Sequence, residues 1–169
     1  MKKTLVPLAA ALLVLLPSLA LAEEAPVTEI AFILNTFSFL MTGTLVMWMA
    51  AGFAMLEAGL VRSKNVATIC LKNIALFGIA GILYYLVGYQ LMYAGVDGGW
   101  IGSFGFWGAD DAAAAAGDFA ANYATGSDWF FQMVFCGAAC SVVSGCVAER
   151  IRLWPFLIFC AVLTGLIYP

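Results

Sequence analysis

The sequence predicts an all-α polytopic membrane protein with about three and a half spans present. Hydrophobic residues make up 64% of the 169, charged residues 10%, and mean hydropathy is +1.02. A soluble domain carries roughly 45–50% apolar and about 25% charged residues. Long apolar runs follow the first thirty residues, and each complete one meets the roughly 20-residue length needed to cross hydrocarbon. Lipid offers no partner to unpaired backbone groups, so runs of this length fold as helices. Net charge is −3, with no basic cluster of the kind that binds nucleic acid.

Residues 1–22 read as a cleavable signal peptide. Lys2 and Lys3 form a positive start, Leu5 to Leu16 a short apolar stretch, and Ala20-Leu21-Ala22 an A-x-A cleavage site. Cleavage would place the mature N-terminus outside the cytosol. The membrane domain then occupies 23–169. Its spans fall at about 30–60, 66–94 and 129–147, with a fourth from about 153 still apolar at Pro169. A chain that stops inside an apolar run predicts a piece of a longer protein.

Orientation follows from the connections. Arg62 and Lys64 lie between the first two spans, and Arg150 and Arg152 between the last two. The stretch 95–128 has no Lys or Arg but holds Asp97, Asp110, Asp111, Asp118 and Asp128. Positive connections stay in the cytosol, so the acidic loop is expected outside. Trp100, Trp107, Trp129, Tyr89 and Tyr93 fit an outer aromatic belt, and Trp154 an inner one. Asp110-Asp111 before Ala112 could open a short helix, or the loop could be a solvated connector.

Small residues recur at helical spacing. Gly137, Ser141 and Gly145 form one row in the third run; Cys136, Cys140, Ser144 and Ala148 form another. Such rows let helices pack closely in lipid. The five cysteines lie in apolar runs without a metal-ligand pattern and read as small hydrophobes, so no cofactor is expected. Polar groups at membrane depth are few. Glu57 and Glu149 sit near the inner ends of their runs, each close to a basic residue, which reads as an ion pair or helix-end anchor. Asn73 and Ser144 read as hydrogen-bonding neighbouring helices. Phe131 and Phe135 are four apart and share a helix face. By composition alone these rings read as packing.

Longer patterns add a resemblance. The stretch from Phe53 through Met55, Leu56, Glu57, Ala58, Gly59, Leu60, Val61, Arg62, Ser63 and Lys64 to Asn65 resembles the end of the first span in ammonium transporters of the Amt/Rh/methylammonium permease family. Lys72-Asn73 and Gly88-Tyr89 continue it. A second block resembles the third span: Phe131-Gln132, Phe135, Ser144-Gly145, then Ala148-Glu149-Arg150-Ile151-Arg152.

The resemblance implies the opening part of an eleven-span bundle that assembles as a homotrimer in a bacterial plasma membrane. It implies transport of ammonium or ammonia rather than enzymatic catalysis. Phe135 matches the outer phenylalanine gate, Phe131 a neighbouring vestibule aromatic, and Val142 the lining of a narrow apolar lumen. Glu57, Arg62, Lys64, Asn65, Glu149 and Arg150 match structural motifs. The family's twin histidines and buried aspartate match nothing here, and the chain contains no histidine. It alone is therefore expected not to transport. A PII-type cytosolic regulator is an implied partner. An ammonium sensor, with the same membrane domain joined to a signalling domain, is the alternative.

Overall fold

The structure, a computed structural model, describes residues 28–96 and 99–169. The segment read as a signal peptide lies outside the described residues, as does Asp97. Every regular element among the described residues is helical.

Helix α1 spans Glu29–Leu60. Thr28 caps it, its hydroxyl accepting the Ala31 N–H at 3.3 Å. With 32 residues and a rise of about 1.5 Å each, α1 exceeds the roughly 30 Å hydrocarbon core and must tilt or protrude. A 3₁₀ turn at Ser63–Asn65 reverses the chain into α2, Val66–Leu83. A π-helical turn at Tyr84–Gly88 carries α2 into the short α3, Tyr89–Tyr93. After the acidic loop and its helical turn α4 (Ala112–Ala115) comes α5, Thr125–Cys146. Helix α6, Leu153–Val162, ends in a second π-helical turn, Leu163–Ile167, which packs on the first.

Three helical segments are long and apolar enough to cross a membrane: Glu29–Leu60, Ser63–Tyr93 and Thr125–Cys146. The shorter Leu153–Ile167 is also apolar. Helix α5 begins before its apolar run because Ser127 and Asp128 find partners in the first turn. Ser127 Oγ donates to the Ala124 carbonyl at 2.6 Å, and Asp128 accepts the Tyr89 hydroxyl at 2.7 Å. An acid at a helix N-terminus also suits the dipole.

Helix α5 packs on α1 and on α2, while α6 packs on α2 and its π-helical turn reaches α5. Leu76, Cys140, Phe156 and Cys160 form one fully buried cluster where α2, α5 and α6 meet. Tyr84, Met133, Val134 and Cys136 form a second, nearer the acidic loop. The cysteines are free; Cys136, Cys140 and Cys160 are buried as packing groups, while Cys70 and Cys146 are exposed.

The two ends of the bundle differ in chemistry. The connections that carry Arg62 and Glu149 meet at one end. At the other, the acidic loop is tied to α1: the Ala124 N–H donates to Thr36 Oγ1 at 3.0 Å, and Asn35 Nδ2 to the Asn122 carbonyl at 3.1 Å. Ala112–Ala115 does form a helical turn after Asp111. The Asp111 side chain does not cap it, accepting instead the Thr125 N–H and hydroxyl at 2.8 and 2.9 Å. Trp107 stacks on Trp129 with centroids 5.0 Å apart, and Tyr85 meets both edge-on. Trp100 and Trp154 are exposed.

Gly137 sets the approach of α2 to α5. A Cβ there would lie 2.9 Å from Phe77 Cδ2. Gly137→Ala is expected to cost about 1–3 kcal/mol by overpacking. A Cβ at Gly78, inside α2, meets nothing within 4 Å, so Gly78→Ala should raise stability by about 0.4–1 kcal/mol. Thermal unfolding in detergent micelles checks both.

Candidate functional site

Glu57 lies in the last turn of α1 and is 3% exposed. A carboxylate so placed must be paired, because the desolvation penalty runs to several kcal/mol per ion. Its Oε2 collects three donors from two other helices. Ser144 Oγ on α5 donates at 2.7 Å, Asn73 Nδ2 on α2 at 3.3 Å, and Lys72 Nζ pairs with it at 3.4 Å. Lys72 is itself 4% exposed. Its ammonium also donates to the Ser144 carbonyl at 3.0 Å and lies 4.8 Å from the Phe156 ring centroid. An ammonium carries three donors, and here three acceptors surround it, the last being a π face.

Asn73 and Ser144 thus hydrogen-bond between helices. Lys72 is the residue that the site reading missed. The usable signal was its position inside an apolar run, where a lone cation demands a partner.

Glu149 makes a second, exposed cluster at the charged end. It sits at φ 61°, a left-handed conformation that costs a non-glycine residue roughly 1–2 kcal/mol. The turn aims its carboxylate at the α1–α2 connection. Oε1 accepts the Arg62 backbone N–H at 2.9 Å and Asn65 Nδ2 at 2.6 Å. Arg62 Nε bridges both oxygens at 3.2 Å. The Arg62 backbone hydrogen bond, then that of Asn65, then the Arg62 side chain hold the carboxyl down at about 2. Lys64 and Arg150 are exposed and stand outside this cluster. Glu57, Arg62, Asn65 and Glu149 therefore belong to two clusters, one dry and one wet.

Phe131, Phe135 and Val142 share one face of α5. The Phe131 and Phe135 rings meet edge-to-face at 4.9 Å. Phe39 of α1 joins them, 5.1 Å from Phe131 and 4.7 Å from Tyr123 of the acidic loop. The Phe135 ring is partly open, at 36% exposure. Val142 lies two turns farther along, 52% exposed, in a groove of about 300 Å³ with Phe53, Leu56 and Glu57. A small-molecule path along this face would meet aromatic rings, then aliphatic wall, then the Glu57 cluster.

The sequence pattern of the Ammonium Transporter Family matches residues 37–169. The chain belongs to that family. It is 39% identical over 130 residues to Ammonium transporter Amt2 of Archaeoglobus fulgidus, covering 77% of this chain and 26% of that protein. With Ammonium transporter 3 of Dictyostelium discoideum it shares 35% identity over 141 residues, 83% of this chain and 30% of that one. A solved structure, Sensor Amt Protein, superposes with a TM-score of 0.70 at 30% identity, covering 83% of this chain and 33% of that one. The chain thus spans about a quarter to a third of the length of these relatives. Family membership and three spanning helices make it a multi-pass membrane protein.

Removing one partner of the dry ion pair should leave a buried charge. Lys72→Met alone is expected to destabilise by about 3–5 kcal/mol, and Glu57→Leu/Lys72→Met to recover most of that loss. A double-mutant cycle of thermal unfolding checks this. The wet cluster should respond to acid. Because the folded-state pKa of Glu149 is depressed, its stabilisation is complete above the usual value of 4.5 and is lost as pH falls towards about 2. Wild type should therefore lose more stability than Glu149→Gln between about pH 6 and about pH 3, read from unfolding temperatures.

Proposed function

We propose that this chain supplies the opening spans of an ammonium transporter. The observation that carries the reading is the family match over residues 37–169, joined to an aromatic pair at the head of an apolar helix face. Phe131 and Phe135 recruit the cation. A ring face attracts a monovalent cation by about 0.5–2 kcal/mol. Moving an ion bare into an apolar lumen costs tens of kcal/mol in the low-dielectric limit. So the rings concentrate ammonium but cannot carry it onward, and the species that passes Val142 is neutral ammonia, with the proton handed on separately.

That proton needs a group titrating near neutral pH, the task histidine suits. This chain has none, so by itself it does not transport. The full-length protein acts as a homotrimer in a bacterial plasma membrane, with the mature N-terminus outside and a PII-type protein as cytosolic regulator. Arg62, Lys64, Arg150 and Arg152 at one end and the acidic loop at the other support that orientation. Glu149 with Arg62 and Asn65 holds the cytosolic turns together.

A second reading is an ammonium sensor, in which the same membrane domain drives a signalling domain. The likeness to Sensor Amt Protein favours keeping it. Transport of ammonium by purified full-length protein separates the two.

Phe135→Ala in the full-length protein should change ammonium flux or the preference for ammonium over methylammonium. Phe130→Ala should matter less for selectivity, because that ring packs towards α1: a Cβ at Gly43 would lie 2.8 Å from its Cε1. Uptake into proteoliposomes reads both. Equal, negligible effects on flux and selectivity would sink the gate assignment.

A further inference from the structure

The outer end of α1 grips the acidic loop just before the chain enters α5. Asn35, Thr36 and Phe39 share one side of α1, at positions i, i+1 and i+4. Each meets one of three consecutive loop residues. Asn35 Nδ2 donates to the Asn122 carbonyl at 3.1 Å, and Thr36 Oγ1 accepts the Ala124 N–H at 3.0 Å. Between them the Phe39 ring lies 4.7 Å from that of Tyr123. Asn122 takes a left-handed φ of 64°. A non-glycine residue stays in that region only where its surroundings fix it, and such residues gather at functional sites.

Phe39 also reaches α5. Tyr123, Phe39, Phe131 and Phe135 form a row of four rings with successive centroids 4.7, 5.1 and 4.9 Å apart. Phe131 is held from both sides, its plane at 77° to that of Phe39 and at 63° to that of Phe135. All these contacts are made within the chain. Orientation matters because an aromatic ring is negative on its face and positive at its edge. The face attracts a cation and the edge does not. A Phe131 ring free to turn would therefore offer the solute its edge for part of the time.

We propose that Phe39 is a positioning residue for the outer vestibule. It holds Phe131 in the orientation that recruits the cation, and so sets the preference between ammonium and methylammonium. This deepens the transport reading and rests on it. Phe39 acts through Phe131 and not on the solute. Phe32 supplies the comparison. It lies seven residues earlier on α1, and its ring packs 5.2 Å from that of Phe119 in the same loop. That contact also ties α1 to the loop, but it stands two turns outside the row.

Binding of radiolabelled methylammonium to the purified full-length protein, with displacement by ammonium chloride, tests this. Phe39→Leu should weaken methylammonium binding about two- to tenfold, the range set by one aromatic pair. It should also change the ratio of the two affinities and leave the maximal uptake rate in proteoliposomes intact. Phe39→Tyr keeps the ring and should bind as wild type. Phe32→Leu should bind as wild type although it too loses a ring contact. Should Phe39→Leu not fold, Phe39→Met carries the same expectation. Affinities unmoved in Phe39→Leu, or moved equally in Phe32→Leu, overturn the proposal even if the wild type carries ammonium. A wild type that binds methylammonium through Phe39 but carries neither solute overturns the transport reading and leaves this one standing. A wild type that neither binds nor carries overturns both.

Discussion

One carboxylate oxygen holds three helices. Glu57 Oε2 ends α1 in a knot with Lys72 and Asn73 of α2 and Ser144 of α5. Lipid gives no hydrophobic incentive for helices to associate, so packing and interhelical polar contacts must do it. Small residues on α5 bring the backbones close enough for these short polar reaches. The apolar core of Leu76, Cys140, Phe156 and Cys160 seals the α2 side of the knot, with Phe156 beneath the Lys72 ammonium. Polar and apolar contacts here form one unit, since the charge can stay dry only where the packing is complete.

The two ends of the bundle are secured differently, and that leaves one face available. At the charged end Glu149 fastens the two short turns together. At the other, hydrogen bonds from Asn35 and to Thr36 hold the acidic loop against α1. Between these fixed ends, the face of α5 carrying Phe135 and Val142 stays partly open. Aromatic rings at its head and the Glu57 carboxylate near its foot give a gradient of chemistry along a single helix.

Much of this was legible in the sequence because hydropathy reports the solvent directly. Apolar runs too long for a soluble core had to be helices, and two blocks, Phe53 to Asn65 and the one ending Ala148-Glu149-Arg150-Ile151-Arg152, carried the family resemblance that the family match bears out. What hydropathy does not report is partnership. Lys72 entered the sequence reading only within the family resemblance; its engagement with Glu57 depends on how α1 folds back on α2. Phe39 joins the aromatic group only because α1 crosses α5 beside the acidic loop. The π-helical turns at Tyr84–Gly88 and Leu163–Ile167 were illegible for a different reason. They answer to packing against each other rather than to any local propensity, and each breaks the 3.6-residue phase on which face assignments rely.

The dry ion pair also bears on how the chain is made. Glu57 and Lys72 lie on consecutive helices joined by a short turn. A single charged side chain costs roughly 2.5–3.5 kcal/mol at the centre of an inserting helix on the biological scale, and less at the end of one, where Glu57 lies. Neither α1 nor α2 is electrically ready for lipid alone, but the hairpin is neutral at this point. The two helices should therefore leave the insertion machinery as a pair, with α1 retained beside it until α2 has been synthesised. Ser144 comes much later in the sequence, so the hairpin by itself leaves the carboxylate short of one donor that only α5 supplies.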